Sequence, residues 1–200
     1  MSNKIIYYCF GFVLLLIFYK IYSQSEIFNL KCIISNVDGN KYCVRDRKDK
    51  ERSADLLAKV NKKCQDIVNY LKNKYPNDER IKRLNNGFNP KNMNEILPTS
   101  KLTAYSENKG EKVAFCLNKK SSPSASDTEL IDLETLTFVA FHELTHIMCK
   151  TYGHNQEFWQ NFKFILENAE TANIYSSVDY KKEPKEYCGM TISDNPLYDL

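Results

Sequence analysis

The sequence predicts an α+β fold: one domain built on a small mixed or antiparallel sheet, preceded by a single membrane-spanning helix. Three observations predict it. Apolar residues recur at helical spacing in three long segments. Short β-type runs joined by Gly-containing turns lie ahead of and between those segments. Residues 5–19 (IIYYCFGFVLLLIFY) carry no charge.

The N-terminal segment is long enough to enter a bilayer. Its apolar run extends through Ile21 and Tyr22 if Lys20 snorkels to the interface. Residues 1–23 are therefore expected to be a membrane anchor. A cleaved signal peptide is the alternative, and the small residue expected three positions before a cut at Ser23 is missing. Lys4 on one side and Lys20 and Lys31 on the other leave the topology open. Residues 24–31 read as a short stalk and residues 32–200 as the domain.

Within the domain, residues 32–37 and 41–45 flank Asp38-Gly39, a hairpin turn signal. The mixed-charge run 45–52 (RDRKDKER) reads as a solvated loop or helix entry. Ser53 is a plausible N-cap for a helix carrying Leu57, Val60, Cys64, Ile67, Val68 and Leu71, which stops at Tyr75-Pro76. A short helix is expected at 78–84 and a loop at 85–99. Residues 102–106 and 112–117 read as strands joined by a turn at 107–110. The polar stretch 118–127 is expected to be the most mobile loop. Asp132 should cap a helix running to about Thr151, with Gly153 just beyond. A second helix, 155–169, carries Phe158, Phe162, Ile165 and Leu166 on one side. Residues 171–200 read as irregular.

Charge is nearly balanced, 28 basic against 25 acidic residues, so nothing in the composition argues for nucleic acid. Of seven cysteines, Cys9 lies in the apolar segment. The other six permit up to three disulfides in an exported domain, or buried thiols in a reducing compartment. Their spacings match no CxxC-type zinc site.

The chemistry concentrates in one place. All three histidines of the chain, His142, His146 and His154, fall between residues 142 and 154. His142-Glu143-Leu144-Thr145-His146 fits H-E-x-x-H. Residues four apart on a helix differ by about 40° around its axis, so both imidazoles face one way. They can bind one Zn²⁺ at about 2.0–2.1 Å each. Glu143, one position on, can reach a water as general base without ligating the metal. Gly153 lets the chain turn back and present His154 as third ligand.

Other assignments compete. The histidines could be ordinary helix and loop residues. Cys149 could close the site as a fourth ligand and exclude catalysis. The motif also occurs where a glutamate on the following helix is the third ligand, a role open to Glu167 or Glu170; Glu157 would face away if His154 binds.

HELTH followed by Tyr-Gly-His-Asn-Gln-Glu-Phe-Trp (152–159) resembles the WLM and SprT-like metallopeptidases and their compact minigluzincin relatives. Tyr42-Cys43-Val44-Arg45, the turn 108–112 and Tyr187-Cys188-Gly189-Met190 with Asn195-Pro196-Leu197 resemble a subgroup encoded by large DNA viruses. The resemblance implies a zincin-like domain with an active-site helix and a following packed helix. It also implies Zn²⁺ on His142, His146 and His154, Glu143 as catalytic base, and a protein or peptide substrate. The role of such proteases on DNA-crosslinked proteins is not carried over, because a membrane segment fits it poorly. Strand 112–117 is expected to border the cleft. Tyr152, Tyr175, Tyr180 and Tyr187 are candidate oxyanion partners, and Phe158 and Trp159 are expected to pack one helix on the other. The rival is a non-catalytic, membrane-anchored zinc protein of the virion.

Overall fold

A computed structural model describes residues 2–25, 29–119 and 129–198. Its elements in chain order begin with helix α1 (Ser2–Gln24), strands β1 (Leu30–Ile34) and β2 (Lys41–Arg45), and helices α2 (Lys50–Lys74) and α3 (Glu79–Gly87). Strands β3 (Met93–Glu95), β4 (Ala104–Glu107) and β5 (Lys112–Phe115) follow, then helices α4 (Leu133–Met148) and α5 (Gln156–Thr171) and strands β6 (Lys185–Tyr187) and β7 (Met190–Ile192). The fold is mixed α+β. The expected mobile loop at 118–127 lies largely outside the described residues, as do residues 26–28 of the expected stalk.

α2 buries Leu57, Val60, Cys64, Ile67, Val68 and Leu71, the stripe its periodicity sets out. Each such side chain withdrawn from water contributes about 1.5–3 kcal/mol. The helix starts at Lys50 after Asp49, not at Ser53, which is buried inside the first turn. The charged run is not wholly solvated. Arg47 turns inward and its Nη2 meets Glu95 Oε1 at 2.7 Å, with both side chains buried. That pair draws the helix entry against β3.

The main sheet has strand order β3-β5-β4. β5 runs parallel to β3 and antiparallel to β4. Strand 112–117 is therefore central, and β4 is the edge; the expectation that 112–117 borders the cleft is corrected on this ground. β3 lies within the expected loop 85–99. It is only three residues long and all three are buried, so no alternation betrays it. Its polar side chains hold the β1–β2 hairpin: Asn94 Oδ1 accepts from Cys43 N at 3.3 Å, and Glu95 Oε2 from Arg45 N at 2.8 Å.

α4 is the central helix. From Thr135 to Met148 every residue is buried except His142 and His146. Asp132 caps it, accepting from Thr135 N at 2.8 Å. The helix ends at Met148 rather than Thr151, because Cys149 turns to extended backbone. α5 begins after Asn155, whose side chain accepts from Phe158 N. The C-terminal region is not wholly irregular, since β6 and β7 pair through a turn in which Cys188 and Gly189 have φ of 51° and 77°. Strands of three residues leave no periodic trace.

Disulfides join Cys32 to Cys43 across the first hairpin and Cys116 to Cys188, fixing the end of β5 to the β6–β7 turn. Cys64 and Cys149 are buried free thiols. Two disulfides fall within the three that the exported-domain expectation allows, and the remaining pair of domain cysteines stays unbridged.

Candidate metal centre

The one gap in the burial of α4 is the site. His142 and His146 project from it with Nε2 atoms 3.3 Å apart, and His154 Nε2 lies 2.9 Å from that of His142. Ligand-capable atoms of all three fall within 4.8 Å of one another. Tetrahedral zinc with bonds of about 2.0–2.1 Å needs donor separations of roughly 3.3 Å. The first pair matches, and the second needs to open by a few tenths of an ångström. Burial, with the neighbouring imidazoles, pulls His142 down to about 3 and His146 down to about 4. Both are thus neutral, the form that donates a lone pair. The donor set fits zinc.

Phe158 orders these rings. It is fully buried, and its centroid stands 4.7, 4.5 and 4.6 Å from those of His142, His146 and His154. It packs α5 on α4 as expected, and it also floors the three imidazoles. Trp159 corrects its expectation: it is 46% exposed, with its ring 5.9 Å from that of His154.

The turn that delivers His154 is held from both sides. Gly153 has φ of 83° and open space where a Cβ would stand, so glycine is needed there for conformation alone. Lys109 Nζ donates to the carbonyls of His146 at 3.2 Å, Cys149 at 2.9 Å and Thr151 at 3.3 Å. It also lies 4.3 Å from the Tyr152 ring centroid. Arg83 Nε donates to Met148 O at 2.9 Å. Two cations thus satisfy carbonyls that a helix C-terminus leaves open. Glu157 closes the other side, accepting from Lys150 N at 2.9 Å and Thr151 Oγ1 at 2.6 Å. The Thr151 hydroxyl and these amides bring its carboxyl down to about 2.

Lys109 sits in an unusual backbone. Asn108 and Lys109 have φ of 48° and 57°. A Cβ on Gly110, at φ of 105°, would meet Gly87 O at 2.6 Å and Ile147 Cδ1 at 2.7 Å. The β4–β5 turn is pressed against α3 and α4, and this close approach aims Lys109 at the end of α4.

Glu143 is 5% exposed beside the histidines. Burial pushes its carboxyl up to about 7, opposed by hydrogen bonds from the Ser106 hydroxyl and backbone. Ser106 belongs to β4 and nothing in the sequence marks it. An open cleft of about 860 Å³ lies over the site. Its lining comes from β4 and its approach (Thr103 to Ser106), from Met190 to Asp194, and from Phe138, Val139, His142, Glu143 and His146 of α4.

The remaining candidates separate cleanly. Tyr152 and Tyr187 line the cleft, whereas Tyr175 and Tyr180 do not. Instead Tyr175 and Tyr180 pack edge-on against Phe141 and Phe138. Tyr187 is buried and donates to Thr103 O at 2.9 Å. Neither Glu167 nor Glu170 joins the cluster of ligand atoms, and Glu170 accepts from Ser177 N instead. Cys149 is outside the cluster as well, with its sulfur 3.3 Å from Asn161 Nδ2.

Comparison with known proteins identifies the family. The family model of the WLM domain matches residues 37–196. An uncharacterized protein of Acanthamoeba polyphaga mimivirus is 29% identical over 189 residues, 92% of each chain. One from Invertebrate iridescent virus 6 is 32% identical over 78 residues, covering 39% of this chain and 41% of that protein. Among solved structures, Wss1 from Saccharomyces cerevisiae is similar at a TM-score of 0.46 and 20% identity, covering 65% of this chain and 89% of that one. With the family model spanning well over half of its length, the chain belongs to the WLM domain family.

Proposed function

We propose that the chain is a membrane-anchored, zinc-dependent peptidase in which His142, His146 and His154 hold the metal and Glu143 is the general base. Family membership supports a metallopeptidase-type enzyme. The observation that carries the finer reading is three imidazoles converging beside a buried carboxylate in an open cleft. A zinc ion held there supplies Lewis acidity, lowering the pKa of a water molecule and polarising a carbonyl.

The chain's own groups do the rest. A carboxylate oxygen of Glu143 takes the proton of the attacking water and passes it to the departing amine nitrogen. Ser106 holds that carboxylate from β4. Among the described residues β4 has β5 on one side only, so its other edge can pair with an extended substrate backbone. Of the candidate oxyanion partners, Tyr152 lines the cleft with its hydroxyl uncommitted among the described residues, whereas Tyr187 already donates its hydroxyl to Thr103 O.

The anchor is α1. Its segment Lys4–Ser23 has a mean hydropathy of 1.9 and none of it is buried. At about 1.5 Å per residue it matches a hydrocarbon core of roughly 30 Å. The peptidase domain then runs from the first hairpin to the C-terminal region.

The test is cleavage of a broad peptide library by the whole chain in detergent, beside Glu143→Gln. Both proteins should carry about one zinc, and cleavage should fall by at least about a hundredfold in the variant. Zinc without cleavage in either would instead favour a structural zinc protein.

A further inference from the structure

The end of α1 is tied to the wall of the cleft. Asn29 Nδ2, just ahead of β1, donates to the carbonyls of Tyr22 at 3.2 Å, Ser23 at 3.3 Å and Ser25 at 2.8 Å. One side chain thus satisfies two carbonyls of the last turn of α1, and one just beyond it, and joins the helix to the first strand. From elsewhere in the domain, Thr99 Oγ1 donates to Ser23 O at 3.2 Å. Ser23 is the last residue of the candidate span, so its carbonyl stands where the bilayer meets water.

Thr99 lies four residues before Thr103, which lines the cleft. Four residues reach at most about 14 Å. Thr103 is itself well fixed, its carbonyl accepting from Cys116 N at 2.7 Å and Tyr187 OH at 2.9 Å. Ser106, beside Glu143, is seven residues from Thr99, an upper limit of about 25 Å. The segment between is suited to an interface. Leu102 is 57% exposed and follows the exposed Lys101, and Met190, 48% exposed, accepts at its sulfur from Thr103 Oγ1 at 3.6 Å. Apolar side chains beside a lysine are what a headgroup region accepts.

We infer that the cleft works at the membrane surface, on extended polypeptide segments that emerge directly from the same bilayer. This rests on the anchored-peptidase reading and adds to it a reach: bonds within about 25 Å of the membrane, seven or eight extended residues. A substrate tethered that close is presented at high effective concentration, and one held beyond reach is not.

The experiment uses the full chain reconstituted in phosphatidylcholine–phosphatidylserine vesicles. The probe is a lipid-anchored peptide library with a randomised ten-residue segment, placed either at the anchor or beyond a rigid 40-residue helical spacer. Such a spacer holds the segment about 60 Å away. Cleavage is read by mass spectrometry, with an unanchored library alongside. Segments at the anchor should be cut at least about tenfold faster than those beyond the spacer. Inserting the same spacer into the enzyme after Ser25 should reverse that order. Equal rates at both distances would overturn the inference while leaving the peptidase reading intact. A chain that cuts the unanchored library but washes off the vesicles would overturn it through the anchor. No cleavage of any library would overturn it together with the peptidase reading.

Discussion

At the scale of single residues, the site depends on side chains that carry no chemistry of their own. His142 and His146 are fixed by the helix, but His154 stands on a turn, and the turn is set by Lys109 and Glu157. Lys109 adopts a left-handed backbone that costs a non-glycine residue about 1–2 kcal/mol. Its ammonium serves three carbonyls at the end of α4 in return. Lys109→Met keeps the stem and removes the charge, so zinc affinity should fall about tenfold, as for other groups that orient ligands. Competition against a chromophoric chelator reads this directly. The zinc-free protein should lose far less than the zinc-bound one in thermal stability. An unchanged affinity would mean that the turn holds its shape without Lys109. The H-E-x-x-H spacing and the nearby third histidine make the cluster of three imidazoles legible in the sequence. Lys109 and Ser106 are not, because each reaches the site through a fold contact about 40 residues away in the chain.

At the scale of elements, periodicity serves the long helices and fails the short strands. α2 and α5 declare themselves, since a stripe repeated over several turns survives local exceptions. β3, β6 and β7 are three residues each, and their pairing is decided by partners far along the chain. β6 and β7 matter most for the site, because Met190 to Asp194 line the cleft beside β4 and its approach. The Cys116–Cys188 bond closes a loop of 72 residues and holds that hairpin. Replacing both cysteines by serine should cost about 2–5 kcal/mol in chemical unfolding under oxidising conditions. If the chain is the proposed peptidase, it should also raise KM more than it lowers kcat, since this hairpin lines the cleft and Glu143 stays on α4. A loss of kcat alone would place the hairpin in the chemistry instead.

At the scale of the whole molecule, the parts have a common arrangement. A buried central helix carries two imidazoles and a carboxylate, and a second helix floors them with Phe158. A sheet edge and a hairpin enclose the cleft, and the approach to that edge is tied to the end of the apolar helix. The α+β class follows from the sequence because helices and hairpins alternate in it. The order of strands does not, and with it went the identity of the cleft's edge strand.

Everything proposed for the chain depends on the metal centre being three histidines with an open position. Zinc-edge X-ray absorption of the purified 200-residue chain tests this most directly. The protein should carry about one zinc per chain, with imidazole scattering, nitrogen or oxygen neighbours at about 2.0–2.1 Å, and no sulfur. A sulfur neighbour at about 2.3 Å would mean that Cys149 closes the site, and a protein purified and titrated without retaining zinc would contradict the account altogether.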